Sequence, residues 1–169
     1  KSALLLRDTD VLKQIQEHSP VLCKVTITTA DDALCRKIEP GVSLSSQRFE
    51  MLAKLRACGI PAGILLMPVL PFLEDSVENV LEIVERAHEA GACFIYPAFG
   101  MTLRDNPREW YYKKIEELFP GEGLAERYIK RYGNRYECRS PHAAKLWKHF
   151  QSRCEGYGIL YEMKDIIHF

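Results

Sequence analysis

The side chains with the most chemistry to offer are six cysteines, two histidines seven residues apart, and a run of arginines threaded with tyrosines. The cysteines are Cys23, Cys35, Cys58, Cys93, Cys138 and Cys154, and no two lie closer than the 12 residues between Cys23 and Cys35. A [4Fe–4S] cluster or a zinc site draws on closely spaced thiolates, and there is no C-x-x-C pair or C-x-x-x-C-x-x-C loop here. Cys138 and Cys154 supply two ligands at most, which does not close a cluster. The thiols therefore read as reduced and structural, each behaving as a small hydrophobe. His142 and His149 share a helix face but have no acidic or thiol partner to complete a metal set.

Arg127, Lys130, Arg131, Arg135 and Arg139 alternate with Tyr128, Tyr132 and Tyr136. Basic and aromatic side chains in such a mixture suit phosphate contact with base stacking. The same pattern also fits a solvated helix face with tyrosines packed beneath it, and both readings stand at this point.

These groups have to be placed by the elements around them. Asp8 and Thr9 are N-cap types, followed by Val11, Leu12 and Ile15 at helical spacing. Residues 21–29 are rich in β-branched side chains and predict a strand. A polar connection over 29–43 follows, then a helix from Ser45 with Leu52, Ala53 and Leu55 on one face and Gly59 as its stop. The apolar run 60–69 predicts a strand buried on both faces. Asp75 with Glu78 predicts a capping-box-like helix start, and residues 92–97 a further strand.

Strands separated by helices at intervals of about 30–40 residues are the mark of parallel βαβ units. In such units ligands sit at the C-terminal strand ends, here 26–36, 67–75 and 96–104. From about Asn106 the texture changes to helices over 110–119, 124–132 and 141–154, the last with Pro141 at its first position. The organisation expected is βα units over 1–105 and a mostly helical extension over 106–169.

Lys plus Arg total 23, as do Asp plus Glu, so no global positive field points to nucleic acid. No apolar run approaches the roughly 18 residues of a membrane span, and a cytoplasmic, soluble protein is expected. The chain opens at Lys1 without Met, which reads as a start inside something longer.

At this point an ordered set of segments resembles a known group. Thr26-Ile27-Thr28-Thr29, Arg36-Lys37-Ile38-Glu39-Pro40, Arg48, Ala57-Cys58-Gly59-Ile60 and Pro68-Val69-Leu70-Pro71 with Asp75 form its first part. Residues 132–141, Leu146-Trp147 and Gly158-Ile159-Leu160-Tyr161 form its second. The set is similar to radical S-adenosylmethionine (SAM) enzymes related to spore photoproduct lyase, often labelled DNA repair photolyases.

The resemblance implies the C-terminal half of a partial (β/α)6 TIM-like barrel, from the end of strand 3 through strand 6, with a helical C-terminal extension. It implies SAM and a [4Fe–4S] cluster as cofactors, with the cluster's three cysteines before Lys1. The chain alone would then be catalytically incomplete, part of a lyase-like parent that cleaves SAM reductively to a 5′-deoxyadenosyl radical. By match to the family, Lys1 and Thr26 would contact the polar groups of SAM, with Thr28, Arg36 and Glu39 just beyond. Tyr96 and Phe99, ending the last strand, would be placed to stack on adenine, although core packing is the commoner fate of such aromatics. Arg36 with Glu39 also fits a plain surface ion pair.

Two other classes remain. One is a non-catalytic module that binds nucleic acid or a protein partner, with DNA the first candidate. The other is a small hydrolase or aldolase, for which Lys1 and Asp75 make a poor catalytic set. A half barrel would also leave an open sheet edge, through which the chain is expected to self-associate.

Overall fold

The computed structural model describes residues 2–168. A short 3-10 turn over Ala3–Asp8 leads into α1 (Thr9–Gln16), where the Val11, Leu12 and Ile15 spacing predicts a helix. Strand β1 (Cys23–Thr26) follows, the ordered heart of the β-branched run. Residues 29–43, expected as a loop, contain α2 (Asp32–Ile38). Its signal is the Asp31-Asp32 pair. Asp31 caps the helix by accepting from the Ala33 N–H at 2.7 Å, and Asp32 accepts from both the N–H and hydroxyl of Ser46, tying α2 to the next helix.

Helix α3 (Ser45–Ala57) buries Phe49, Met51, Leu52 and Leu55, and Gly59 ends it at φ +74°. Strand β2 (Ala62–Leu66) is buried along nearly its whole length, as its unbroken apolar run requires. Helix α4 (Val77–Glu89) is capped by Ser76, whose hydroxyl accepts from the Asn79 N–H at 3.0 Å. Asp75 is therefore not the cap; it lies buried outside the helix. Strand β3 (Ile95–Pro97) completes a three-stranded parallel sheet of order β1-β2-β3, with Val25 opposite Ile64 and Ile64 opposite Ile95. Gly63 is required in the middle of it, because a Cβ there would sit 2.3 Å from the Phe94 ring.

The barrel expectation fails at β3. Its outer edge is taken by the chain's own tail: the Ile95 N–H donates to the Leu160 carbonyl at 2.8 Å, and the Leu160 N–H to the Cys93 carbonyl at 3.1 Å. After Pro97 the chain turns into β4 (Gly100–Thr102), which pairs antiparallel with β5 (Glu137–Arg139) as a separate two-stranded sheet. Three parallel strands and an antiparallel pair make a mixed α/β fold, not half of a closed TIM-like barrel.

Between β4 and β5 run α5 (Asp105–Leu118) and α6 (Leu124–Tyr132), and after β5 come α7 (Ala143–Tyr157) and α8 (Met163–Ile166). Helix α7 starts two residues later than Pro141 suggests, with His142 at its N-cap. Two apolar clusters result. The larger joins β1–β3, α3 and α4 to Leu146, Phe150 and Cys154 of α7, which lies along α4 and is tethered by an Arg153–Glu85 ion pair. The smaller gathers α5, α6 and β5 around Tyr128. Among the described residues no helix is long and apolar enough to cross a membrane.

Candidate functional site at the strand ends

The parallel strands end together, and what gathers there is partly polar. Arg48 of α3 is only 1% exposed. Its Nε donates to the Ser43 carbonyl (2.8 Å), Nη1 to the Thr26 carbonyl (2.9 Å), and Nη2 to Glu39 Oε2 (2.5 Å). Burial pulls this guanidinium below its ordinary pKa, opposed by Cys35, Asp32 and Glu74. An arginine stays charged regardless, so its place in the core depends on those partners.

Buried Glu74, in the loop after β2, accepts from the Thr28 hydroxyl at 2.6 Å and the Leu70 N–H at 2.8 Å. Asn79 holds that loop to the end of β1. Its amide donates to the Thr28 and Glu74 carbonyls, and its oxygen accepts from the Ala30 N–H. Thr28, Glu39 and Glu74, with Ile38, Pro68 and Leu70, line a nook of about 140 Å³.

Beyond Pro68 the floor becomes apolar. Met67, Pro68, Ala98, Phe99, Gly100 and Met101 line a cleft of about 520 Å³, rimmed by Thr102, Glu137 and Arg139. Pro68 belongs to both spaces, so an acidic nook adjoins an apolar trough across the mouths of β2 and β3. Such a pairing suits a ligand with a flat apolar part and a cationic part.

Of the residues expected to touch SAM, the structure brings Thr28, Glu39 and Phe99 to these walls. Thr26 gives its carbonyl to Arg48 and lines neither space. Arg36 is exposed on α2, and Glu39 pairs with Arg48. Tyr96 is half-buried within β3, away from the walls of the cleft. Lys1 lies outside the described residues. Glu74, Asn79 and Arg48 complete the arrangement without having stood out in sequence. A buried charge in the middle of a helix shows no sequence pattern of its own, although Arg48 falls within the segments that carry the resemblance.

The basic stretch divides. Arg127, Lys130 and Arg131 are exposed on α6, Arg127 lying over the Phe72 ring at 4.4 Å. Arg135 is exposed after the helix, and its carbonyl is held by Arg108. Arg139 stands on β5 at the rim of the cleft. Tyr128 and Tyr132 point inward. Tyr128 donates to the Pro71 carbonyl at 2.7 Å and Tyr132 to the Arg139 carbonyl at 2.7 Å. Burial raises both phenols, Tyr132 to about 12. Among these tyrosines only Tyr136 is open to solvent.

The six cysteines are free. Among the described residues no three His, Cys, Asp or Glu side chains converge to hold a metal ion. The residues present therefore do not fit an iron–sulfur cluster, which needs grouped thiolates. What the strand mouths offer instead is a polar nook, with Glu39 held by Arg48 and Glu74 by the Thr28 hydroxyl and the Leu70 N–H, beside an apolar trough.

The class defined by fold and site is thus a small parallel α/β sheet whose strand mouths open on an acidic nook and an apolar cleft. Among curated proteins the chain is 30% identical over 132 residues to uncharacterized proteins of Mycobacterium tuberculosis and Mycobacterium bovis, covering 78% of this chain and 38% of each of them. An uncharacterized protein of the Acidianus two-tailed virus is 26% identical over 121 residues, covering 70% of this chain and 38% of its own. The chain thus spans less than two fifths of the length of these relatives. No family model matches it. No solved structure matches it either.

Proposed function

We propose that this chain is the SAM-facing portion of a radical SAM enzyme, working with an iron–sulfur cluster whose ligands lie outside these 169 residues. The supporting observation is that the Thr28–Glu39–Glu74 nook and the Met67–Phe99–Met101 cleft lie on either side of a shared wall residue, Pro68, at the strand ends. Reductive cleavage of the sulfonium would be the chemistry SAM brings; the chain's own part is to bind and orient. Phe99 and the two methionines bury the adenosine and exclude water. Arg48 holds Glu39 in place, and Asn79 fixes the loop that carries Glu74. Six free cysteines agree with a reducing, cytoplasmic setting.

The test is made on the parent protein, purified anaerobically and reconstituted with iron and sulfide. A charge-transfer band together with 5′-deoxyadenosine released from SAM under dithionite is the expected result. Thr102→Arg, at the exposed rim, narrows the cleft and adds a cation. It is expected to weaken SAM binding at least about tenfold while the cluster band persists, a loss of ~1.4 kcal/mol. A parent that makes no deoxyadenosine, or a Thr102→Arg variant that binds SAM as well as the natural protein does, overturns the reading.

A second reading, a nucleic-acid-binding face on α6, has Arg127, Lys130 and Arg131 exposed on one side in its favour. With Tyr128 and Tyr132 turned into the core, that face would offer phosphate contacts and little stacking. Its mark would be DNA affinity that falls steeply with salt and is not changed by Thr102→Arg.

A further inference from the structure

Next to the cleft lies a second cavity of about 290 Å³, lined by Pro97, Phe99, Arg139, Ala143 and Trp147. It shares Phe99 and Arg139 with the cleft, so the two are neighbouring rooms with a common wall. Its lining is four apolar side chains and one cation, with no carboxylate.

Of its two informative residues, Trp147 is held by its ring contacts and Arg139 by its backbone, its side chain exposed. Trp147 is 38% exposed, high for an indole whose helix is docked on the core. Its ring is nevertheless fixed: stacked on Phe150 (5.8 Å, 28°) and edge-on to Phe99 (6.0 Å) and Tyr161 (6.1 Å). Arg139 is placed by its backbone. In the β4–β5 register it faces Gly100, where a Cβ would fall 2.8 Å from the Arg139 Cα and the backbone φ is +154°. The Tyr132 hydroxyl holds the Arg139 carbonyl, and the following N–H, that of Ser140, donates to the Phe99 carbonyl at 3.0 Å. The guanidinium makes no ion pair among the described residues, although Glu137 lines the same cleft.

A rigid, partly exposed indole beside an arginine that forms no ion pair among the described residues recognises a flat ring bearing an anion. The ring packs against the indole, and the guanidinium forks onto a carboxylate or phosphate. We propose that this cavity is the substrate subsite, built for a small planar ring that carries a carboxylate or phosphate group. Its size, at the low end for small-molecule sites, limits the ligand to a single ring system or little more. Naming the occupant a substrate rests on the SAM reading of the adjoining cleft; the binding chemistry does not.

The experiment uses the chain with Trp110→Phe, which removes an indole 64% exposed on α5 and leaves Trp147 as the sole reporter. Benzoate, phenyl phosphate and neutral benzyl alcohol are titrated while indole emission is followed. The expected result is a saturable change with benzoate or phenyl phosphate, at least about tenfold weaker with benzyl alcohol and lost in Arg139→Gln. The tighter of the two anions tells carboxylate from phosphate. Equal affinity for benzyl alcohol, no saturation with either anion, or unchanged binding in Arg139→Gln overturns the proposal; circular dichroism of that variant checks that it folds.

A parallel titration with S-adenosylhomocysteine separates the two rooms. If the aromatic anions bind and S-adenosylhomocysteine does not, the cleft reading falls and the subsite stands as a binding site. The reverse pattern overturns the subsite alone.

Discussion

Each half of the molecule is closed by a buried arginine, and the two differ in what they hold. Arg48, in the parallel-sheet half, reaches two carbonyls and the Glu39 carboxylate. Arg108, in the antiparallel half, is 7% exposed and donates to the carbonyls of Leu103, Gly133 and Arg135. Its acidic neighbour Asp105 is 3.8 Å away and almost wholly solvated, and its own Nε is buried without a partner. Arg108 therefore works as a strut that fastens the ends of the α5–α6 excursion. Arg48 orients an acid at the mouth of a cleft. Both anchors are cationic, but of the two only Arg48 draws a carboxylate in beside a ligand-sized space.

Replacing each arginine by methionine tests that difference most directly. Arg48→Met strands Glu39 and two carbonyls, and breaking a buried pair from one side costs about 3–5 kcal/mol. Arg108→Met strands three carbonyls but no buried carboxylate, and about 1.5–3 kcal/mol is expected, the range for hydrogen bonds from a charged donor. Urea midpoints measure both. If the two losses are equal, or Arg108→Met costs more, the two arginines do not differ in what they hold.

The join between the halves gives a smaller effect. Tyr128 sits in the antiparallel core yet donates to the Pro71 carbonyl in the loop after β2, and its hydroxyl lies 3.0 Å from that of Tyr111. Tyr128→Phe removes the donor and keeps the ring, for an expected loss of about 1–2 kcal/mol. A smaller urea m-value alongside the lower midpoint would show the halves melting apart.

The smallest expected effect is one of pH. Burial pushes the Cys154 thiol, on α7 against α4, from its ordinary value of 9.0 up to about 12. Between those values the unfolded chain ionises while the folded one keeps its proton, so stability is complete below about pH 9 and declines as pH rises toward 12. Cys154→Ala is expected to flatten the first part of that decline, read as urea midpoints from pH 8 to pH 10. Equal slopes in the two proteins would show that this thiol does not control it. Tyr132, raised to about 12, adds a later decline in both.

Much of the sheet half was legible because its signals are local. The unbroken run 60–69 holds β2, the Val80–Val84–Ala87 stripe holds α4, and Gly59 and Gly91 end their helices at positive φ. Helix α2 is not legible in sequence, since its caps sit in a polar stretch that reads equally well as loop. The strands β4 and β5 leave no local signal because each is three residues long, and their pairing brings together positions 35 to 39 apart. In the candidate site, Thr28, Glu39 and Phe99 were expected at the strand ends and line the walls. Tyr96, Thr26 and Arg36 were expected there too and do not, because register and helix face decide direction.

The sequence by itself determined the alternation of parallel strands with helices, the helix stops and the reduced cysteines. Those follow from side-chain periodicity, backbone freedom at glycine and the spacing of thiols, all readable within a few residues. Only the tertiary structure decided that the tail's Leu160 would take the outer edge of β3, where a further strand would otherwise pair. It also set Arg48 against Glu39 and Arg139 beside Trp147. Those pairings join distant segments, and the desolvation that gives them their strength exists only once the chain has closed around them.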